Sequence, residues 1–143
     1  LTSYYYIASD IELPSGIYTE NGFEENKGIG VVSIDNSLDL TRSKQAVQGL
    51  KYPIQLEIVN GLCDPVTLEP DTYYELTLLY KYIYEVTREH KLCTIEIAHI
   101  WNEHRRDFKI KKKKKILLKQ LKSPKELLLH EGEALIIKKT TNW

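Results

Sequence analysis

Pro53-Ile54-Gln55-Leu56-Glu57-Ile58-Val59-Asn60 sets Ile54, Leu56 and Ile58 on one side of an extended chain and Gln55 and Glu57 on the other. That is the period-two pattern of a half-buried strand. Proline at the first position removes no interior ladder bond, and Asn60-Gly61 closes the run. Downstream, Thr72-Tyr73-Tyr74-Glu75 has the form of a capping box, with Pro70 suited to a helix entrance. Leu76, Leu79, Tyr80, Ile83 and Val86 then recur at intervals of three and four, so they share one helical face, while Lys81, Glu85, Arg88 and Glu89 form the wet side. The spacing predicts a long helix over 72–90. Cys93-Thr94-Ile95-Glu96-Ile97-Ala98-His99-Ile100-Trp101 returns to alternation, with Cys93, Ile95, Ile97, His99 and Trp101 on one face and Thr94, Glu96 and Ala98 on the other.

Working outward toward the amino end, Tyr4 to Ala8 reads as a strand and Pro14-Ser15-Gly16 as a turn. The polar stretch Thr19 to Gly28 suggests an exposed loop, Ile29 to Ile34 a short apolar strand, and residues 40–48 a short helix ended by Gly49. Toward the carboxyl end, residues 109–121 fit a helix or a strand equally. Ser123-Pro124-Lys125-Glu126 predicts a short helix from 124 to 131 that stops at Gly132, and Ala134 to Lys138 a last strand. The expected fold class is therefore α+β: a single domain over 1–143, with a small mixed or antiparallel sheet, one long helix at about 72–90, and short helices packed against it.

The composition suits such a domain. The chain has 143 residues, 42% of them hydrophobic, and is large enough to bury a core without metal or disulfides. It contains no apolar run of membrane-span length, and Leu1 to Asp10 lacks the positive region of a signal peptide. Two cysteines, Cys63 and Cys93, make no disulfide framework and read as buried reduced thiols, which points to a cytoplasmic protein. The net charge of zero hides an asymmetry: residues 1–75 carry 12 acids and 4 bases, for −8, and the remainder carries 8 acids and 16 bases, for +8. A chain polarised in this way invites a homo-oligomer, or a protein partner that meets one half only.

The basic segment 105–125 is the most conspicuous motif. Arg105, Arg106, Lys109, Lys111, Lys112, Lys113, Lys114 and Lys115 lead it, followed by Lys119, Lys122 and Lys125. Closely spaced cations neutralise phosphates and release counterions, so such a run can hold nucleic acid or another polyanion without reading sequence. The bland reading is a solvated face that keeps a sheet edge soluble. A second cluster, His99, Glu103 and His104, resembles the zinc-protease spacing H-x-x-E-H with one residue too many, so both histidines cannot share the required helical face. No spacing supports a metal site, and His99 on an apolar face reads as a hydrogen-bonded core histidine. No hydrolase elbow, dinucleotide fingerprint or P-loop is present, and no cofactor is implied. Ten tyrosines against two phenylalanines suggest either an aromatic interface or A/T-rich codon usage.

Together these features point first to a non-catalytic intracellular module that self-associates or docks on a protein. Nucleic-acid or polyanion binding through 105–125 is the alternative, and an enzyme with a site near His99, Glu103 and His104 the third reading.

Overall fold

Ile54, Leu56 and Ile58 do form a strand, and it lies inside a much larger sheet than the sequence pattern indicates. A computed structural model of the chain describes residues 3–23, 37–43, 47, 49–58, 70–101 and 110–140. The strands are β1 (Ser3–Ser9), β2 (Gly16–Thr19), β3 (Gly22–Phe23), β4 (Leu38–Arg42), β5 (Ile54–Ile58), β6 (Cys93–Trp101), β7 (Lys112–Leu117) and β8 (Glu133–Lys139). All eight join one sheet in the order β3-β2-β4-β5-β1-β6-β8-β7. Neighbouring strands run antiparallel except β7, which pairs parallel with β8.

This corrects the expected α+β class. Among the described residues the only α-helix is α1 (Pro70–Thr87), and it packs on a sheet-dominated fold. The short helix expected at 40–48 is contradicted at its start, because Leu38–Arg42 is a strand. Leu38 and Leu40 alternate inward with Asp39 and Thr41 outward, and pairing with both β2 and β5 overrides the helical preference of leucine. The helix expected at 124–131 is a single 3-10 turn, Pro124–Leu127. Its start signal was genuine: Ser123 Oγ accepts from Lys125 N, and Glu126 Oε1 from Lys122 N. Leu127, at the end of that turn, and Leu129, on the extended chain after it, are both buried, and their backbone bonds Tyr5 and His99. The stretch 109–121 resolves at Lys112–Leu117 as strand, followed by a 3-10 turn at Leu118–Gln120. The expected strand 29–34 lies outside the described residues.

Helix α1 also starts two residues before the expected cap, with Pro70 as its first residue. Its buried stripe is Leu76, Leu79 and Ile83 joined by Leu78 and Tyr82, whereas Tyr80 and Val86 are half-buried. The register aligns the core in rows across the sheet. Leu56, Ile7, Ile97 and Leu135 stand side by side, as do Ser9, Ile95 and Ile137. These rows meet α1 and the 118–129 segment in one cluster.

The opposite face is buried too. Tyr6, Ala98 and Ala134 form one buried row and Gln55, Ala8, Glu96 and Ile136 the next, with Ile100 beside them. Glu96, on the face it shares with Thr94 and Ala98, is 1% exposed, and its Oε1 accepts from the backbone N–H groups of Lys51 (2.7 Å) and Tyr52 (3.1 Å). Gln55 on the same face accepts from Val47 N and donates to Tyr52 O. Val47 and the 51–52 backbone are thus tied to that face by two buried polar side chains.

Candidate polyanion-binding edge

β7 ends the sheet: β8 pairs along one side, and no described strand lies on the other. Lysine has little intrinsic taste for strands. What holds Lys112–Leu117 extended is its six-residue register with β8, from Lys112 opposite Glu133 to Leu117 opposite Lys138. The turn before β8 locks the entry. Gly132 adopts φ +88°, donates to His99 O at 2.6 Å and accepts from Lys111 N at 2.8 Å. A side chain is strained at that φ, so glycine fits the position.

The register divides the lysines between the two faces. Lys112 and Lys114 stand opposite Glu133 and Leu135, in line with the core rows, while Lys113 and Lys115 stand opposite Ala134 and Ile136 on the other face. All of them, with Lys111, are exposed. Carboxylates come within ion-pair distance of only two in the described structure: Glu131 lies 3.9 Å from Lys111 and Glu133 4.0 Å from Lys112. Pairs this long and this exposed neutralise little charge. Lys113 Nζ reaches Gly49 O at 3.4 Å, a neutral partner. The edge is a cationic ridge with lysine on both sides of the sheet plane. Arg105, Arg106 and Lys109 of the basic segment lie outside the described residues.

The other candidates come out differently. His99 is 1% exposed, stacked on Tyr5, with Nδ1 bonded to Leu129 O at 2.9 Å and Nε2 without a hydrogen-bond partner. A carbonyl can only accept, so Nδ1 carries the proton in that bond. An imidazole sealed in this way meets no substrate from solvent. Glu103 and His104 lie outside the described residues, so the described structure does not bring the three together. Among the described residues no cluster of His, Cys, Asp and Glu could hold a metal. Cys93 is a buried free thiol whose pKa is raised by burial and then by the Asp10 carboxylate, and Cys63 lies outside the described residues.

The tyrosines have a structural use that neither sequence reading named. Tyr80 and Tyr84 of α1 donate to Leu121 O, Tyr84 also to Leu118 O, and Tyr82 to Pro14 O. Their hydroxyls satisfy carbonyls of irregular chain that no ladder reaches, which phenylalanine could not do. Between α1 and the β2–β3 hairpin the Tyr80 and Tyr84 rings, with Tyr18, also wall a groove of about 540 Å³, where Tyr18 donates to Glu85 and Lys81 reaches Glu20 O. The sequence carried no signal for this groove, because its walls come from positions some sixty residues apart. Two of the groove's charged groups are already bonded, Glu85 by the Tyr18 hydroxyl and Lys81 by the Glu20 carbonyl.

Among the described residues no helix is long and apolar enough to cross a membrane. No protein-family model, no curated protein and no solved structure matches this chain.

Proposed function

We propose that this protein is a non-catalytic interaction module whose working surface is the β7 edge and whose partner is an anionic segment of another protein. One observation carries the reading: five consecutive lysines, Lys111 to Lys115, are exposed at the terminal described strand of the sheet, and among the described residues only two of them have carboxylate neighbours, both weak. Held unneutralised, such charges repel one another, and an incoming anion relieves that repulsion. Like charges facing each other across a strand pair are destabilising, so two copies of this chain do not favour meeting β7 to β7. The ridge therefore selects for an acidic partner and against a second copy at the same edge.

The test is retention on immobilised poly-glutamate at low salt, comparing the protein with the variant Lys112→Gln, Lys113→Gln, Lys114→Gln. The expected result is that the variant elutes at clearly lower salt with an unchanged circular dichroism spectrum. Equal retention of the two proteins would overturn the reading.

A further inference from the structure

The placement of the lysines on both faces of a terminal strand says more than their number does. We infer that the acidic partner binds as an extended peptide added alongside β7, a ninth strand of the sheet. This rests on the β7 edge being the working surface.

A bulky polyanion approaching the sheet from one side meets one row of lysines, Lys113 and Lys115 or Lys112 and Lys114, because the sheet plane separates the rows. An extended chain lying in the plane of the sheet meets both rows. Its side chains alternate between the faces with the same period as those of β7, so acidic residues at successive positions pair with lysines above and below. Along a terminal strand every second residue also turns its N–H and C=O away from its neighbour, and an added strand completes those bonds. Main-chain pairing then supplies affinity and the lysines supply selectivity, which is the division of labour in recognition by strand addition. The same lysines disfavour an added copy of β7, which would set lysine against lysine.

Ile116 extends the fit. It is partly buried against the core on the row that carries Lys112 and Lys114, and it follows them at the carboxyl end of β7. A partner whose acidic run is flanked by an apolar residue opposite Ile116 would bury surface there as well.

The experiment uses a capped oligo-glutamate of six residues, matching β7 in length, and two versions of it N-methylated at alternate amides, one at odd and one at even positions. All three carry the same charge. If the peptide adds as a strand, one methylated version loses affinity by about tenfold or more while the other binds like the parent. Alternate amides of Lys112–Leu117 should also gain protection from hydrogen exchange in the parent complex. Both methylated peptides binding like the parent, without protection of β7, would overturn strand addition and leave the charge reading standing. Failure of the parent peptide to bind, together with equal retention of wild type and lysine variant on poly-glutamate, would overturn both.

Discussion

Tyr5 and His99 stack at 4.7 Å between ring centroids, and both bond the backbone of Leu129: the Tyr5 hydroxyl accepts from its N–H at 2.7 Å, and His99 Nδ1 donates to its carbonyl at 2.9 Å. The two residues sit opposite each other on β1 and β6. The same hydroxyl donates to Leu127 O. A cross-strand pair near the middle of the sheet thus holds the irregular 127–129 segment against the core, and with it the approach to the turn that starts β8.

Removing that hydroxyl tests the arrangement. Tyr5→Phe keeps the ring and the stacking but strands the N–H of Leu129 and weakens the satisfaction of Leu127 O, both buried. The expected cost is about 1–3 kcal/mol in denaturant unfolding. A variant as stable as the parent would mean that the 127–129 segment is held by its leucines alone.

Glu96 is the corresponding anchor on the opposite face. Glu96→Ala deletes the acceptor shared by the N–H groups of Lys51 and Tyr52. Hydrogen bonds to a carboxylate are each stronger than neutral ones, so a loss of about 2–3 kcal/mol is expected. Faster proteolysis within residues 43–53 should accompany it, since the same side chain ties that connection to the sheet. Unchanged stability and cleavage would show that the connection is held elsewhere.

Leu56 has no exposed surface and stands opposite Ile7, whose other neighbour is Ile97. Leu56→Ala should cost about 2–5 kcal/mol, the range for a leucine cavity in a packed core. An unshifted unfolding midpoint would sink the register of β5 described here.

The regular features of this fold were legible where side-chain period and burial agree. Ile54, Leu56 and Ile58 on β5, the 93–101 alternation and the leucine stripe of α1 each turn a run of apolar residues to the core, and β6 buries its other face as well. The size of the sheet was not legible, for three physical reasons. Lys112 to Lys115 carry no strand pattern, and only pairing with β8 holds them extended. Leu38–Arg42 is too short for its alternation to outweigh a helical reading. The hairpin Gly16–Phe23 reads as loop because its turn residues Glu20 and Asn21 dominate a pair of short strands. As for the candidate site, the basic run was plain in the sequence. Its division between two faces of a terminal strand depends on the parallel register, which no local pattern encodes.

The buried phenols make stability fall in alkali. Tyr84 is pushed up to about 12 by burial and then by the neighbouring Tyr80 hydroxyl. Tyr82 is raised by burial, and Tyr18 by burial and by its bond to Glu85. The unfolded chain ionises its tyrosines near pH 10. Above that pH the unfolded state has released protons that the folded state still holds, so each further rise favours unfolding. The contribution is complete below about pH 10 and is lost as pH climbs toward the folded values. The urea midpoint should therefore hold steady below that point and drop between about pH 10 and 12, together with the absorbance step of tyrosinate. A midpoint that stays flat through that window would contradict the burial of these hydroxyls.

Base sequence should be invisible to the β7 edge. Lysine offers a point charge, whereas base readout relies on the bidentate geometry of Arg, Asn or Gln. Within β7 only lysines project from the exposed part of the strand, and Ile116 and Leu117 are apolar. Any affinity for DNA or RNA is then electrostatic alone: a dissociation constant of about 10⁻⁴–10⁻⁶ M near physiological salt, with affinity that drops steeply as salt rises. Each lysine that contacts a phosphate adds to the slope of log affinity against log salt. Replacing Lys112, Lys113 and Lys114 with Gln should therefore flatten that slope and weaken binding to every sequence alike. Fluorescence anisotropy with one oligonucleotide and its scrambled control, titrated across salt, measures both quantities. About a hundredfold preference for one sequence over the scrambled control, worth about 2.7 kcal/mol, is more than point charges can supply. That result would identify nucleic acid as the partner and require reading groups beyond the lysine edge.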